Sequence, residues 1–90
     1  MQQADKKILI LNKAVGEIVK ELREQNSKSS INNFAREYDF DRGNLSKLER
    51  GLLNCRLATA LKLSEALGIK FSDFAKLLEE KLDKNFTLID

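Results

Sequence analysis

The stretch that decides the fold is Ser30-Ile31-Asn32-Asn33-Phe34-Ala35-Arg36-Glu37-Tyr38, then Asp39-Phe40-Asp41, then Arg42-Gly43-Asn44-Leu45-Ser46-Lys47-Leu48-Glu49-Arg50-Gly51. Ser30 is a good N-cap for a short helix carrying Phe34, Ala35 and Tyr38. Asp39-Phe40-Asp41 spells a tight turn, because Asp tolerates the left-handed conformation better than most non-glycine residues. Asp41 then caps a second helix with Leu45 and Leu48 facing inward, and Gly51 ends it by supplying a positive φ just past its last turn. Ala35 is small enough for the second helix to cross the first there. Phe40 is an apolar plug for the turn.

Working outward, Ile8, Leu11, Val15, Ile18 and Leu22 recur every three or four residues. This spacing predicts a helix from about 5 to 25, followed by a polar break at 26–29. Leu57, Ala60, Leu63, Ser64 and Leu67 step along a fourth helix closed by Gly68. Phe71, Phe74, Leu78 and Leu82 mark a fifth, followed by a short tail at 83–90. Phe34, Phe40, Phe71 and Phe74 are expected in the core. The whole is a single all-α domain, 1–90, of five helices around a helix-turn-helix core at 30–51. An N-terminal extension, 1–12, makes the first helix long. Within Ile8-Leu9-Ile10-Leu11, Ile8 and Leu11 face the core, whereas Leu9 and Ile10 point elsewhere and suggest a subunit contact. Phe86-Thr87-Leu88-Ile89 alternates like a strand, so these two segments could also pair as a small sheet; a helical start and a docked tail are preferred. Leu61, Leu77 and the last helical turns offer another dimer surface.

Composition narrows the function classes. Ninety residues with 42% hydrophobic and 33% charged content suit one compact core and no second folding unit. With no His and a single Cys, no Cys/His zinc site, Cys–His nucleophile pair or intrachain disulfide can form. There is no glycine-rich phosphate loop, and Asp39 and Asp41 are explained by turn and cap, so no enzyme, cofactor or metal is expected. The apolar run Ile8–Leu11 is too short for a signal-peptide core or a membrane span. The expectation is a reduced, soluble, cytoplasmic protein without membrane association, in which Cys55 is an inert loop residue. The net charge of +2 is uninformative as a total. It divides into six basic against four acidic groups over 28–56, and three against five over 71–90.

Phe34-Ala35, Phe40, Leu45-Ser46-Lys47-Leu48-Glu49-Arg50-Gly51, Leu57 and Ala66-Leu67-Gly68-Ile69 together resemble the Cro and lambda-repressor type of DNA-binding domain. The five-helix order and the Val15-Gly16 to Leu22-Arg23 pattern agree, and the resemblance covers about 14–78. It implies binding of a palindromic double-stranded DNA operator as a homodimer, in a transcription regulator of the repressor type, with the helix at about 41–50 in the major groove. It also implies base contacts from Arg42, Gly43, Asn44 and Lys47. Phosphate contacts would come from Ser30, Asn33, Ser46, Arg50 and Arg56. Arg23 and Glu49 resemble a pair that forms a buried ion pair in this family.

Some positions depart from the family pattern. Ile31 stands where a phosphate-binding Gln is common, Leu52 where a basic residue is common, Cys55 for the usual Pro and Asp39 for the turn Gly. The loop before Ser30 is one residue longer. These changes weaken the expected phosphate grip more than the fold. Gly43 gives up a base-reading side chain, and either lets the helix approach closely or lowers specificity. Beside these readings stand plainer ones: Arg42 and Lys47 as the solvated face of an amphipathic helix, and Asn32 and Asn33 as mere surface amides, against the reading in which one of the two touches a phosphate. A second function class is a protein-interaction module or antitoxin that uses the same fold to bind a partner protein through residues 1–11 or 72–90.

Overall fold

A computed structural model describes residues 3–89 of the chain. Met1, Gln2 and Asp90 lie outside the described residues, and with them the outermost parts of the extension 1–12, the tail 83–90 and the partner segments 1–11 and 72–90. The order is α1 (Gln3–Leu22), a π-helical turn (Arg23–Ser27), α2 (Ile31–Glu37), α3 (Arg42–Glu49), α4 (Leu57–Leu67) and α5 (Phe71–Lys81). No strand occurs among the described residues, so the alternative pairing of 8–11 with 86–89 is not formed. Residues 8–11 are helical. The tail instead runs past the start of α1, where Lys7 Nζ donates to the Ile89 carbonyl at 3.4 Å.

The helix borders follow from their caps. Ser30 Oγ accepts the Asn33 N–H at 3.2 Å, and Asp41 Oδ1 accepts the Asn44 N–H at 2.8 Å. At the end of α2, Asp39 adopts φ +60° and the Phe40 N–H reaches back to the Ala35 carbonyl at 2.8 Å. Gly51 closes α3 in the same way, with the Leu52 N–H on the Lys47 carbonyl at 2.9 Å. Each is a left-handed residue that lets the next N–H satisfy an orphan carbonyl of the last turn. Helical hydrogen bonding after Leu22 does not stop at the expected polar break. It widens into the π turn, and Lys28, at φ +54°, donates its N–H to Arg23 O at 2.9 Å. The π turn closes its hydrogen bond one residue later than an α turn does.

Val15, Ile18 and Val19 of α1 meet Phe34 and Ala35 of α2, Leu45 and Leu48 of α3, Ala60, Leu63 and Leu67 of α4, and Phe74 of α5 in one core. Ser64 is fully buried, with its hydroxyl donating to the Ala60 carbonyl at 2.9 Å. α1 meets the end of α3 backbone to backbone: a β-carbon at Gly16 would overlap the carbonyl oxygens of Leu48 and Glu49. This crossing sets how far α3 stands out from the body.

Three inward assignments are corrected. Leu57 is 74% exposed, Ile8 38% and Phe71 37%. Leu57 and Phe71 are the first residues of α4 and α5, where the chain is only arriving at the body. Ile8 precedes the point at which α1 reaches the core, since burial begins with Leu11 and Asn12. A helical stripe marks the face but not where along the helix burial starts. Leu9 and Ile10 are more than half exposed. Phe40 is half-buried against the core, stacked on Phe34 with ring centroids 6.0 Å apart and planes 9° apart.

Candidate nucleic-acid interface

α3 divides cleanly. Leu45 and Leu48 are buried, while Arg42, Gly43, Asn44 and Lys47 are exposed and Ser46 is half-buried. Burial of the two leucines leaves Arg42, Asn44 and Lys47 projecting outward as a polar face of long donors. Gly43 lies on this exposed face, and a β-carbon there would meet only Asp41 Oδ1, at 3.3 Å. A side chain there would crowd the oxygen that caps α3. The lack of one leaves the α3 backbone bare at the start of the helix.

Arg42 is not a free arm. Its Nε donates to Asn32 Oδ1 on α2, which orients the guanidinium and leaves its outer N–H groups for other acceptors. The role of Asn32 was invisible to the linear pattern, because α2 and α3 bring residues ten apart into contact. Asn33, expected at a phosphate, is engaged within α2: its Oδ1 accepts from Arg36 Nη2 at 2.6 Å while its N–H is held by Ser30. Arg50 Nε folds back on the Ser46 carbonyl at 3.3 Å. Arg56 is the exposed N-cap residue of α4, and its side chain makes no cap hydrogen bond. Ser30, Arg50 and Arg56 thus mark the starts of α2 and α4 and the end of α3. Leu52, in the loop after α3, is 58% exposed.

The loop after α3 is pinned from below. Asn12 Nδ2 donates to Asn54 Oδ1 at 2.7 Å, and Asn12 is only 7% exposed. This buried amide is satisfied, as such groups must be. A signal existed for it: Asn12 is a polar residue on the inward face, four past Ile8. Gly51 is required twice, by φ +77° and because a β-carbon would stand 2.9 Å from Lys13 Cα.

Arg23 and Glu49 hold the far side of the motif. Arg23 Nε lies 2.8 Å from Glu49 Oε2 and Nη2 lies 3.0 Å from Oε1, with both side chains under 10% exposed. Nη1 donates to the Ser29 carbonyl at 2.7 Å. The hydrogen bond to Glu49 raises the Arg23 pKa above its ordinary value against the opposing effect of burial. The guanidinium therefore ties α1, the end of α3 and the residue before the α2 cap into one joint. Burial pushes the Cys55 thiol up, away from the reactive thiolate.

No group of His, Cys, Asp or Glu that could hold a metal ion occurs among the described residues. No helix among them is long and apolar enough to cross a membrane. Compared with known proteins, residues 19–74 match the helix-turn-helix family, a family of DNA-binding domains and not of enzymes. No curated protein and no solved structure matches the chain. The match begins within α1, spans α2 to α4 and ends in α5, so it contains the capped turn, the split face of α3 and the Arg23–Glu49 joint. The chain belongs to the helix-turn-helix family of DNA-binding domains, of the Cro and lambda-repressor type.

Proposed function

We propose that the chain is a sequence-specific transcription regulator of the repressor type, acting in the cytoplasm as a homodimer on a palindromic DNA operator. The observation that carries this reading is the split face of α3, with Arg42, Asn44 and Lys47 exposed over buried Leu45 and Leu48. In this reading α3 enters the major groove. Arg42, with its guanidinium held by Asn32, addresses guanine, Lys47 addresses guanine or a phosphate, and Asn44 adds amide hydrogen bonds. Gly43 lets the helix start approach the base edges. Ser30, Asn33, Ser46, Arg50 and Arg56 meet phosphates on either side.

The weak net charge makes one subunit a poor binder. Two subunits neutralising about three phosphates each give a slope of log K against log salt near −5. Half-sites then lie about one helical turn apart, roughly 34–36 Å. Exposed Leu9 and Ile10 near the tail, or Leu61 and Leu77, supply apolar surface for the subunit contact.

Selection of bound duplexes from a random pool at near-physiological salt tests the proposal. A palindromic enriched site is the expected result. A second reading, a protein-interaction module or antitoxin, is favoured by Leu52, just past the end of α3, and Leu57, at the start of α4, which are exposed by 58% and 74%. Failure to enrich any duplex at any salt selects that second reading over the first.

A further inference from the structure

The turn between α2 and α3 is held from outside the motif by one side chain of α4. Lys62 Nζ donates to the Asp39 carbonyl at 2.8 Å and stands 4.5 Å from the centre of the Phe40 ring. Asp39 is the left-handed residue of the turn, at φ +60°, so its carbonyl has left the helical ladder of α2. The α2 end also carries the negative pole of the helix dipole, which a cation complements. Phe40 lies between two partners, Phe34 beneath it and the Lys62 ammonium also over its ring. Phe34 is fully buried, so the column Phe34–Phe40–Lys62 runs from the core to the surface.

Only Phe40 and Asp41 separate Asp39 from Arg42. Asp41 Oδ1 fixes the first turn of α3 through the Asn44 N–H. A shift of the turn is thus passed directly to Arg42 and Asn44, with no slack between. We propose that Lys62 is a positioning residue for sequence discrimination: by clamping Asp39 and Phe40 it sets the angle at which α3 presents Arg42 and Asn44 to DNA. Lys62 acts through the turn and does not itself touch DNA. The inference rests on the DNA-binding reading of α3.

The test uses the full chain with Lys62→Met, which keeps the stem but loses the charge, and Lys62→Arg, which keeps a cation and donors. Lys76→Met on α5 controls for the loss of one charge. Affinities are measured for the enriched duplex and a shuffled duplex over a range of salt. The amide exchange of Phe40, whose N–H is bonded to the Ala35 carbonyl, is followed in the free protein. Lys62→Met is expected to reduce the preference for the enriched duplex about tenfold, the size of one lost base contact. It should leave the salt slope unchanged and speed exchange at Phe40, and Lys62→Arg should restore most of the preference. Equal weakening on both duplexes with a salt slope shallower by about one would make Lys62 a phosphate ligand and overturn the proposal. So would an unchanged preference in a variant that only melts earlier. If the wild type enriches no duplex, the DNA-binding reading falls by itself; the hold on the turn is then decided by the Phe40 amide, and unchanged exchange refutes it.

Discussion

Arg23 and Glu49, twenty-six residues apart, meet through two parallel hydrogen bonds of 2.8 and 3.0 Å, with a third from Arg23 to the Ser29 carbonyl. The paired geometry is what a guanidinium fork and a carboxylate favour. Because both side chains are almost wholly buried, removing one partner strands the other charge out of water. Glu49→Ala should therefore cost about 3–5 kcal/mol. Replacing both residues with Met should cost much less, since no unpaired charge is left. Urea unfolding of the two variants checks this, and a double variant as unstable as the single one would contradict it.

Much of the turn is legible in the linear chain, whereas the Arg23–Glu49 pairing comes from the family resemblance. Ser30, Asp41, Gly51 and Gly68 announce the helix borders because capping chemistry is local. Leu45 and Leu48 announce the inner face of α3 because helical spacing is local too. What the chain hides is where helices meet. Asn32 reaches Arg42, Asn12 reaches Asn54 and Lys62 reaches Asp39 only after α1 to α4 are packed. The inward placement of Leu57, Phe71 and Ile8 fails for the same reason, since periodicity gives a direction but not the edge of the body.

Gly16 and Gly43 make different predictions from one substitution. At Gly16 a methyl group would strike the Leu48 and Glu49 carbonyls, which are backbone and cannot swing aside. Gly16→Ala should cost about 1–3 kcal/mol or more as an overpacked contact. At Gly43 a methyl group would press at 3.3 Å on Asp41 Oδ1, the oxygen that caps α3, so this crowding offsets the helix-propensity gain and Gly43→Ala should change stability by less than about 1 kcal/mol. Thermal unfolding should fall clearly for Gly16→Ala and shift little for Gly43→Ala. In the groove reading, Gly43→Ala also weakens binding to the enriched duplex, so stability and affinity separate at this position.

Arg42, Asn32 and Arg50 should separate base reading from phosphate grip. Arg42→Ala should flatten preference among duplexes, losing about 1–3 kcal/mol of discrimination. Asn32→Ala removes the group that orients the guanidinium, and should lower preference in the same sense but by less. Arg50→Ala should weaken all sequences alike and make the salt slope shallower by about one. Competition binding with matched and shuffled duplexes measures all three. Equal losses on both duplexes for Arg42→Ala would remove Arg42 from the base-reading set.

Cys55 gives a pH prediction with a definite sign. Its thiol pKa is raised by burial alone, so the folded chain holds the thiol proton more tightly than the unfolded chain does. The stabilisation from this group is complete below the unfolded pKa and is lost as pH rises through the folded one. At neutral pH the native protein should alkylate with iodoacetamide more slowly than a free thiol, because the thiolate is the nucleophile. Adding urea should bring the rate up to that of an unstructured thiol. In Cys55→Ala the alkaline fall in stability should be shallower than in the parent. Fast alkylation of the native chain at pH 7 would show that the thiol is reached by solvent and ionises readily, and the inert assignment would fail.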